Sequence, residues 1–361
     1  MKILHVLYSG MGGHGNVFFS MVKADTSGSF QYEALFNGIE DIRSEYIEKC
    51  SRLGITWNFV KKKPGLDIGF YKNLIAAIKK SDAEIIFLHG STQVLWAKLA
   101  IVLGKQKRLL IVRETQANLL KTKQDWVWLK TAMLFAGKII FLSENYKQEI
   151  KKKLSFLYRE NKIEVIPNGI DLEKFKPVLK INKNKIVLGM QSRLVKIKDH
   201  ITLLQAFALV SARNSHANYM LKIAGDGEYR TTLEGCARGL NITQNVEFTG
   251  MLNEDDLVDF IQSLDIYIHA SLGETMSTAI MQAMACEVPI IASDVDGISN
   301  MIENGKTGIL VPVKNKNKLA EEMERLVNDT KLQYTLGKNA LQYAKEHFSN
   351  QEMFNKYKAL F

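Results

Sequence analysis

The chain has 361 residues, a net charge of +10 and an ordinary globular composition, which together predict a soluble protein of two domains. No apolar segment approaches ~18 residues, so we expect no membrane-spanning helix, and the N-terminus is typical of a strand rather than a signal peptide. Three scattered cysteines, Cys50, Cys236 and Cys286, argue against disulfides or a cysteine zinc site and indicate a reducing cytosol.

The positive charge is concentrated in the N-terminal half. Residues 1–170 contain 26 of the 48 Lys and Arg residues but 15 of the 38 Asp and Glu residues, a net charge of +11. This excess indicates an anionic partner, either a phosphorylated acceptor, an anionic lipid surface or nucleic acid. We expect no nucleic-acid partner, because no recognition motif is present and the aromatic residues are not interleaved with the basic runs.

The first element is a strand followed by a Gly-rich loop and a helix. Residues 2–8 are typical of a buried strand, the loop covers 9–15, and the helix is expected near 16–22. This arrangement can hold phosphate groups at the helix N-terminus. The loop lacks both the full dinucleotide fingerprint and the P-loop lysine, so a simple tight turn is the alternative.

The rest of the N-terminal half alternates strands and helices, which predicts an α/β domain. His89 ends the strand predicted at 84–89, where ligands bind in doubly wound sheets, although a structural histidine is the alternative. A segment at 121–138 contains Trp126 and Trp128 among cations, and is predicted as either a core-facing or an interfacial helix. Further strands are expected at 32–36, 57–60, 108–113 and 139–142, and further helices at 38–53, 70–80 and from 143 onward.

The second half begins after a Pro-Asn-Gly turn within 163–171. A strand at 185–190 leads to Arg193 and Lys198, which precede a helix at 201–211. Two cations before a helix N-terminus predict an anion site, and a solvated basic turn is the alternative. Strands at 219–224 and 246–250 and a helix at 254–262 follow.

A βαβ unit at 265–308 carries the main chemical signal. Its first turn places Glu274 beside the N-terminus of a helix predicted at 277–285. The helix N-terminus suits phosphate oxygens, and the carboxylate can accept hydrogen bonds from sugar hydroxyls. A site that holds both groups indicates a nucleotide-sugar.

These residues resemble the donor-site signature of the family 4 retaining glycosyltransferases. The family pattern is Glu, seven residues and a second Glu, and this chain has Glu274, seven residues and then Gln282. The family also has Gly-Arg-Leu followed by Lys-Gly, which Arg193 and Lys198 match, with Asp199 in place of the usual Gly. The resemblance covers nearly the whole chain and is strongest over 163–312.

The resemblance implies the GT-B fold, an α/β architecture of two Rossmann-like domains with parallel sheets facing an interdomain cleft. Residues 1–169 are the implied acceptor domain and 170–345 the donor domain, and an amphipathic helix within 343–361 is expected to cross back to the first domain from about 346. The implied catalytic residues are Glu274, His89, Arg193 and Lys198. The implied donor-binding residues are Gly12, Gly13, Arg193, Lys198, Gly225, Gly227, Thr249, Gly250, Glu274, Thr275, Met276, Ser277, Thr278 and Gln282.

The implied reaction transfers a sugar from a UDP- or GDP-sugar to a hydroxyl of a glycan or lipid-linked glycan, with retention of anomeric configuration. Bacterial cell-surface polysaccharide biosynthesis is the usual role of such enzymes, which implies a cytoplasmic protein, peripheral on the inner face of the membrane if the basic domain binds anionic lipid. No cofactor or metal is expected, since cations and helix dipoles neutralise the diphosphate. Asp294 and Asp296 are a weak candidate metal pair.

Two alternatives remain open at this point. A GT-B epimerase acting on a nucleotide-sugar would need further acid–base carboxylates, for which Glu114 is the obvious candidate in the first domain. A non-catalytic nucleotide-sugar-binding partner is suggested by Gln282, an amide where the family has an acid.

Overall fold

The structure is a computed structural model, and it describes residues 1–10, 13–179, 185–213 and 218–361. The chain divides into two compact units. The first consists of Met1–Gly169 together with Asn350–Phe361, and the second of Ile170–Ser349. The chain therefore leaves the first unit once and returns to it for its last residues.

The first unit is built on a seven-stranded parallel sheet in the order β3-β2-β1-β4-β5-β6-β7. Helices α3 to α6 pack against one face of this sheet, and α1 and α14 pack against the other. The elements are β1 Lys2–Tyr8, α1 Gly13–Ala24, β2 Gln31–Gly38, α2 Ser44–Arg52, β3 Thr56–Lys61, α3 Ile68–Lys80, β4 Ile85–Leu88, α4 Val94–Leu103, β5 Leu109–Arg113, α5 Lys123–Phe135, β6 Lys138–Phe141, α6 Glu144–Lys153 and β7 Ile163–Val165.

The second unit has a six-stranded parallel sheet in the order β10-β9-β8-β11-β12-β13. Its elements are β8 Ile186–Gln191, α7 His200–Arg213, β9 Tyr219–Ala224, α8 Arg230–Gly239, β10 Val246–Gly250, α9 Glu254–Gln262, β11 Ile266–His269, α10 Thr278–Ala285, β12 Ile290–Ser293, α11 Asp296–Ser299, β13 Ile309–Val311, α12 Lys316–Asn328 and α13 Thr330–His347. The last helix, α14 Asn350–Lys358, belongs to the first unit. Two parallel-sheet α/β units confirm the predicted fold class.

Side-chain caps fix the starts of several helices. Thr122 and Asp125 form a capping box at α5, and Ser143 accepts a hydrogen bond from the backbone of α6. Ser277 accepts one from Ile280 at the start of α10. These contacts satisfy N–H groups that a helix leaves unpaired in its first turn, so each cap sets where its helix begins after a strand.

Helix α4 was not predicted from the sequence. Its residues are apolar on nearly every side, so the contrast between a buried and a polar face that indicates a surface helix is absent. Among the described residues, no helix combines the length and apolar character of a membrane-spanning segment.

The C-terminal helix expected within 343–361 is shorter than predicted, although it belongs to the first unit as expected. The structure ends α13 at His347 and begins α14 at Asn350. Between them, the carbonyl of Phe348 accepts a hydrogen bond from the Ile170 N–H at 2.7 Å, and Ser349 forms a bridge with Ile170. The helix breaks because this short segment pairs with the chain where it enters the second unit.

Candidate functional site

The second sheet reverses its strand order between β8 and β11. The chain builds outward from β8 to β9 and β10, and then from β11 to β12 and β13 on the other side. Ligands bind at such a switch point, outside the carboxyl ends of the strands. Arg193 follows β8 and Glu274 follows β11, so the cation and the carboxylate singled out from the sequence lie at this position.

The turn after β8 carries the predicted anion-binding cations. The side chain of Arg193 is exposed and makes no hydrogen bond or ion pair within the described residues. Lys198 ends the 3₁₀ turn Lys196–Lys198 and is ion-paired with Glu274. An unpaired guanidinium and an ammonium next to the start of α7 give this turn a positive potential suited to a diphosphate.

Asp199 occupies a backbone conformation that explains the glycine usual at this position. Its φ is +22°, in the region that side chains rarely adopt, and its Oδ2 atom is buried without a hydrogen-bond partner. Glycine adopts such conformations without steric cost, and Asp is among the residues that tolerate them best. The aspartate keeps the turn but adds a carboxylate beside the predicted anion-binding cations.

Glu274 is held by two side chains through one oxygen. Its Oε1 atom contacts Lys198 Nζ and lies 2.9 Å from His269 Nε2. Burial by itself would raise the pKa of this carboxyl, but the His269 hydrogen bond and the Lys198 charge outweigh it and hold the pKa at about 2. Glu274 is therefore a carboxylate at neutral pH.

The Glu274 turn is supported from behind by Gly297. A Cβ atom at this position would lie 2.1 Å from the Glu274 carbonyl oxygen, so only glycine lets α11 approach the turn. Asp294 and Asp296 flank this contact as exposed residues. The described residues contain no group of three His, Cys, Asp or Glu side chains arranged to hold a metal ion.

The N-terminus of α10 has fewer unpaired backbone N–H groups than predicted. Ser277 caps the helix with its hydroxyl, and its own N–H points to the sulfur of Met301 at 3.2 Å. The predicted neighbours Thr275 and Met276 precede the cap, and Thr278 is the first helical residue. The N–H of Ser277 is thus turned into the protein.

Two glycine turns form the other side of the switch point. A Cβ atom at Gly225 would lie 1.9 Å from the Ser192 carbonyl oxygen, and one at Gly227 would lie 2.4 Å from that of Leu194. The Gly225 N–H donates to the Gly250 carbonyl at 2.8 Å, which joins the ends of β9 and β10. These contacts bring the predicted residues Thr249 and Gly250 next to the turn after β8.

Gln282 lies in the second turn of α10 and is only 7% exposed. The other residues of the helix from Ala279 to Ala285 are buried apolar residues of the core. A charged side chain here would lose most of its hydration, which an amide tolerates better than a carboxylate.

In the first unit, predicted residues gather at a second switch point, between β1 and β4. Gly12 lies outside the described residues, and Gly13 begins α1. His89 follows β4, and its ring centroid lies 6.0 Å from that of His14. Burial keeps the pKa of His89 well below its ordinary value, so its imidazole is neutral.

Comparison with known proteins identifies the family. The family described as "Glycosyl transferases group 1" matches residues 171–343, and "Glycosyltransferase Family 4" matches residues 12–174. The chain belongs to the group 1, family 4 glycosyltransferases. The resemblance inferred from the sequence is confirmed.

Relatives of this family 4 chain include CapM, a capsular polysaccharide biosynthesis glycosyltransferase of Staphylococcus aureus, which is 29% identical over 64% of the chain. The match spans 63% of CapM, less than two thirds of its length. The UDP-Gal:alpha-D-GlcNAc-diphosphoundecaprenol alpha-1,3-galactosyltransferase of Escherichia coli is 24% identical over 71% of this chain and 70% of its own length.

A solved structure of HepE from Anabaena, in complex with UDP and glucose, has the same fold. It covers 100% of this chain and 99% of its own, with a TM-score of 0.84 and 19% sequence identity. The likeness establishes the GT-B fold for this family 4 protein.

His269 is the residue at this site that sequence reasoning missed. It ends β11, and is almost fully buried against Glu274 and Tyr267. The available signal was a histidine in the otherwise apolar strand IYIH, five residues before the carboxylate it contacts. In such a fold, ligands bind outside the carboxyl ends of the strands, so a polar residue at the end of a strand is a candidate site residue.

Proposed function

We propose that the protein transfers a sugar from a UDP- or GDP-sugar to a hydroxyl of a glycan or lipid-linked glycan, with retention of configuration, in cell-surface polysaccharide synthesis. The observation that carries this proposal is the placement of Arg193, Lys198 and Glu274 after β8 and β11, at the switch point of the second sheet, with Lys198 ion-paired to Glu274. Relatives named for capsular polysaccharide biosynthesis and for a diphosphoundecaprenol acceptor, and a neighbour bound to UDP and glucose, support it.

The geometry suits stabilisation of a departing diphosphate. Negative charge develops on the leaving phosphate as the bond to the anomeric carbon breaks, and fixed cations there lower the barrier. Arg193 has no competing partner among the described residues, and Lys198 is already placed by its ion pair with Glu274. Glu274, a carboxylate at neutral pH, would accept hydrogen bonds from sugar hydroxyls.

The deciding experiment incubates the protein with a panel of UDP- and GDP-sugars. Release of nucleoside diphosphate, slow with water and faster with acceptor, supports the transferase. An altered sugar would identify an epimerase, and binding without reaction a non-catalytic partner. Glu114, the candidate acid–base residue of an epimerase, is buried and ion-paired with Lys121 at 3.2 Å, which disfavours that role.

We propose that turnover needs no metal ion. Because Arg193, Lys198 and the start of α10 supply positive potential, chelation by EDTA should leave turnover within about twofold. The measurement is the initial rate before and after chelation, with an added-metal control. Loss of activity in EDTA that magnesium or manganese restores would contradict the charge assignment.

Replacing Gln282 by Glu should strengthen donor binding without changing kcat. A charged acceptor strengthens a hydrogen bond from about 1 to about 1.5–3 kcal/mol, and the family acid at this position accepts from the ribose, so we expect the donor KM to fall roughly threefold to tenfold. The ribose does not change during reaction, hence the unchanged kcat. Because the site is buried, the variant should also unfold at lower temperature without nucleotide.

Gln282→Met provides the matched comparison, since it keeps the volume and removes the hydrogen bond. It should raise KM while leaving the unfolding temperature close to that of the native protein. If Gln282→Glu instead creates activity in an otherwise inert protein, the hypothesis of a non-catalytic nucleotide-sugar-binding protein is correct.

We also propose that the first unit binds anionic membranes through the outer sides of α4 and α5, which are adjacent helices. We call this surface the α4–α5 face. It exposes seven large apolar side chains: Leu95, Leu99, Val102, Leu103, Val127, Leu134 and Phe135. Helix α4 and the loop after it have no acid but several cations, Lys98, Lys105, Lys107 and Arg108. Exposed apolar side chains on two adjacent helices, with cations near them, suit an anionic bilayer.

The tryptophans that suggested a membrane helix contribute little to this face. Trp126 is half-buried, and Lys153 Nζ lies 4.0 Å from the centroid of its ring. Trp128 is also half-buried. The aliphatic residues of α4, a helix not predicted from the sequence, replace them as the expected contacts.

The double substitution Leu99→Gln and Val102→Gln should weaken binding to anionic vesicles by about tenfold or more, since each exposed side chain that enters lipid contributes on the order of 1 kcal/mol. Sedimentation with phosphatidylglycerol vesicles measures this, and salt should weaken binding because each cation contributes about 1 kcal/mol. Leu66→Gln with Ile68→Gln, exposed apolar residues outside the face, is the control. Equal binding to neutral vesicles would overturn the proposal.

A further inference from the structure

The two carboxylate oxygens of Glu274 have different environments. Oε1 receives both protein contacts, from Lys198 and from His269. Oε2 accepts no hydrogen bond within the described residues, and the side chain is 13% exposed. The carboxylate is thus anchored through one oxygen, while the other is left for a ligand.

His269 connects Glu274 to the rest of the switch point between β8 and β11. Its Nε2 atom lies 2.9 Å from Glu274 Oε1 and 3.3 Å from the hydroxyl of Ser277, the cap of α10. Its Nδ1 atom lies 3.1 Å from the hydroxyl of Tyr267, which is 3.2 Å from the Gln191 carbonyl at the end of β8. One buried ring therefore contacts, directly or through Tyr267, three elements of the site.

The hydrogen bonds of this group assign one tautomer to His269. Glu274 is a carboxylate and can only accept, so Nε2 must carry the proton. Nδ1 is then an acceptor, and the Tyr267 hydroxyl can give its single proton either to Nδ1 or to the Gln191 carbonyl, both of which lie within hydrogen-bond reach. The opposite tautomer would place the Nε2 lone pair against a carboxylate oxygen at 2.9 Å, which is repulsive.

The surrounding charges keep this arrangement at neutral pH. Burial lowers the pKa of His269, and the Lys198 charge lowers it further, although the Glu274 carboxylate opposes them. Burial likewise lowers the pKa of His200, whose imidazole interacts electrostatically with that of His269, to about 3. Glu274 thus contacts a neutral His269 and the cation Lys198, a neutral His200 and the phenol Tyr267 lie next to these partners, and the exposed Asp294 and Asp296 flank Gly297 behind the turn.

We propose that His269 is a positioning residue of the donor site: the Nε2–H of its buried ring, which Tyr267 contacts from behind, holds Glu274 as a carboxylate with Oε1 turned to the protein and Oε2 open to the sugar. The part that concerns the sugar rests on the proposed function. The part that concerns Glu274 does not, because it can be measured without a substrate.

The test is the titration of the Glu274 carboxyl by ¹³C NMR in protein with labelled Glu, the signal being identified by its absence in Glu274→Gln. His269→Leu removes the donor and should move the titration midpoint up by about one pH unit or more. His269→Gln places an amide N–H where Nε2 was, and should keep the midpoint close to that of the native protein. Thermal unfolding of each variant checks that it is folded.

His200→Leu is the matched control. His200 is also buried, but its Nε2 atom lies 3.0 Å from the Ser192 hydroxyl and forms no hydrogen bond with Glu274 within the described residues. It should leave the midpoint in place. An unmoved midpoint in folded His269→Leu, or equal shifts in the Gln and Leu variants, would overturn the proposal. If the midpoints behave as expected but no nucleotide-sugar reacts with the native protein, the proposed function fails and the positioning role of His269 stands.

Discussion

Glu274→Ala should lower kcat by about 10²-fold or more, since its contacts are proposed to lie beside the reacting carbon and to strengthen in the transition state. The substitution removes the carboxylate whose Oε2 is open, and it also frees Lys198 from its ion pair. A freed ammonium can still bind the diphosphate, so the donor KM should change much less than kcat. Steady-state kinetics with saturating acceptor separate the two parameters.

Glu274→Gln is the informative companion, because it keeps the shape and removes the charge. Its kcat should lie between those of the native protein and the alanine variant, since an amide oxygen still accepts hydrogen bonds, but more weakly. If Glu274→Ala retains most of its turnover, the reaction centre lies elsewhere. Because the pKa of Glu274 is about 2, well below its ordinary value, the native carboxylate stays charged until the pH falls towards 2, so this group should not limit activity at neutral pH.

Arg193→Ala should lower turnover about 10²–10³-fold, the range for removing a preorganised electrostatic contact. Its guanidinium is exposed, makes no ion pair within the described residues and follows the strand at the switch point. Removing it should therefore cost little stability. Lys196→Ala is the matched control, because Lys196 is an exposed cation on the same turn, and its loss should leave turnover nearly unchanged.

Lys198→Ala should lower turnover by a similar 10²–10³-fold factor but differ in a second measurement. Lys198 helps to hold the pKa of Glu274 low, so its loss should move the Glu274 titration to higher pH, which the loss of Arg193 should not do. A pH–rate profile therefore distinguishes the two cations. Equal profiles, or a fall in turnover for Lys196→Ala as large as for Arg193→Ala, would show that net charge matters rather than position.

Elements with a clear contrast of polarity could be predicted from the sequence. The strand ending before Arg193 and the one ending before Glu274 are short apolar runs followed by turn residues, which fixes both residues at carboxyl ends. Which strands lie side by side is a different matter, because strand order depends on packing across the whole sheet. The pairing of β8 with β11 that joins these ends is seen only in the structure.

The missed features depend on contacts distant in sequence or on weak local patterns. The ion pair between Lys198 and Glu274 joins residues 76 positions apart, so no local pattern encodes it. Helix α4 has apolar residues on both its buried and its exposed sides, so its sequence lacks the helical periodicity of apolar and polar residues that would predict it. The break between α13 and α14 arises from pairing with Ile170. Ile170 is the first residue of the second unit and the break lies at its end, so the two are distant in sequence.

The late return of the chain to the first unit affects the order in which the two units can fold during synthesis. Phe354 and Tyr357 of α14 are buried in the core that Ile3 and Ile111 share, so this core lacks a helix until α14 has been translated. The second unit, in contrast, is complete at Ser349. N-terminal domains generally fold first on the ribosome. Here the second unit can complete its core before the first unit, because the first unit still needs α14.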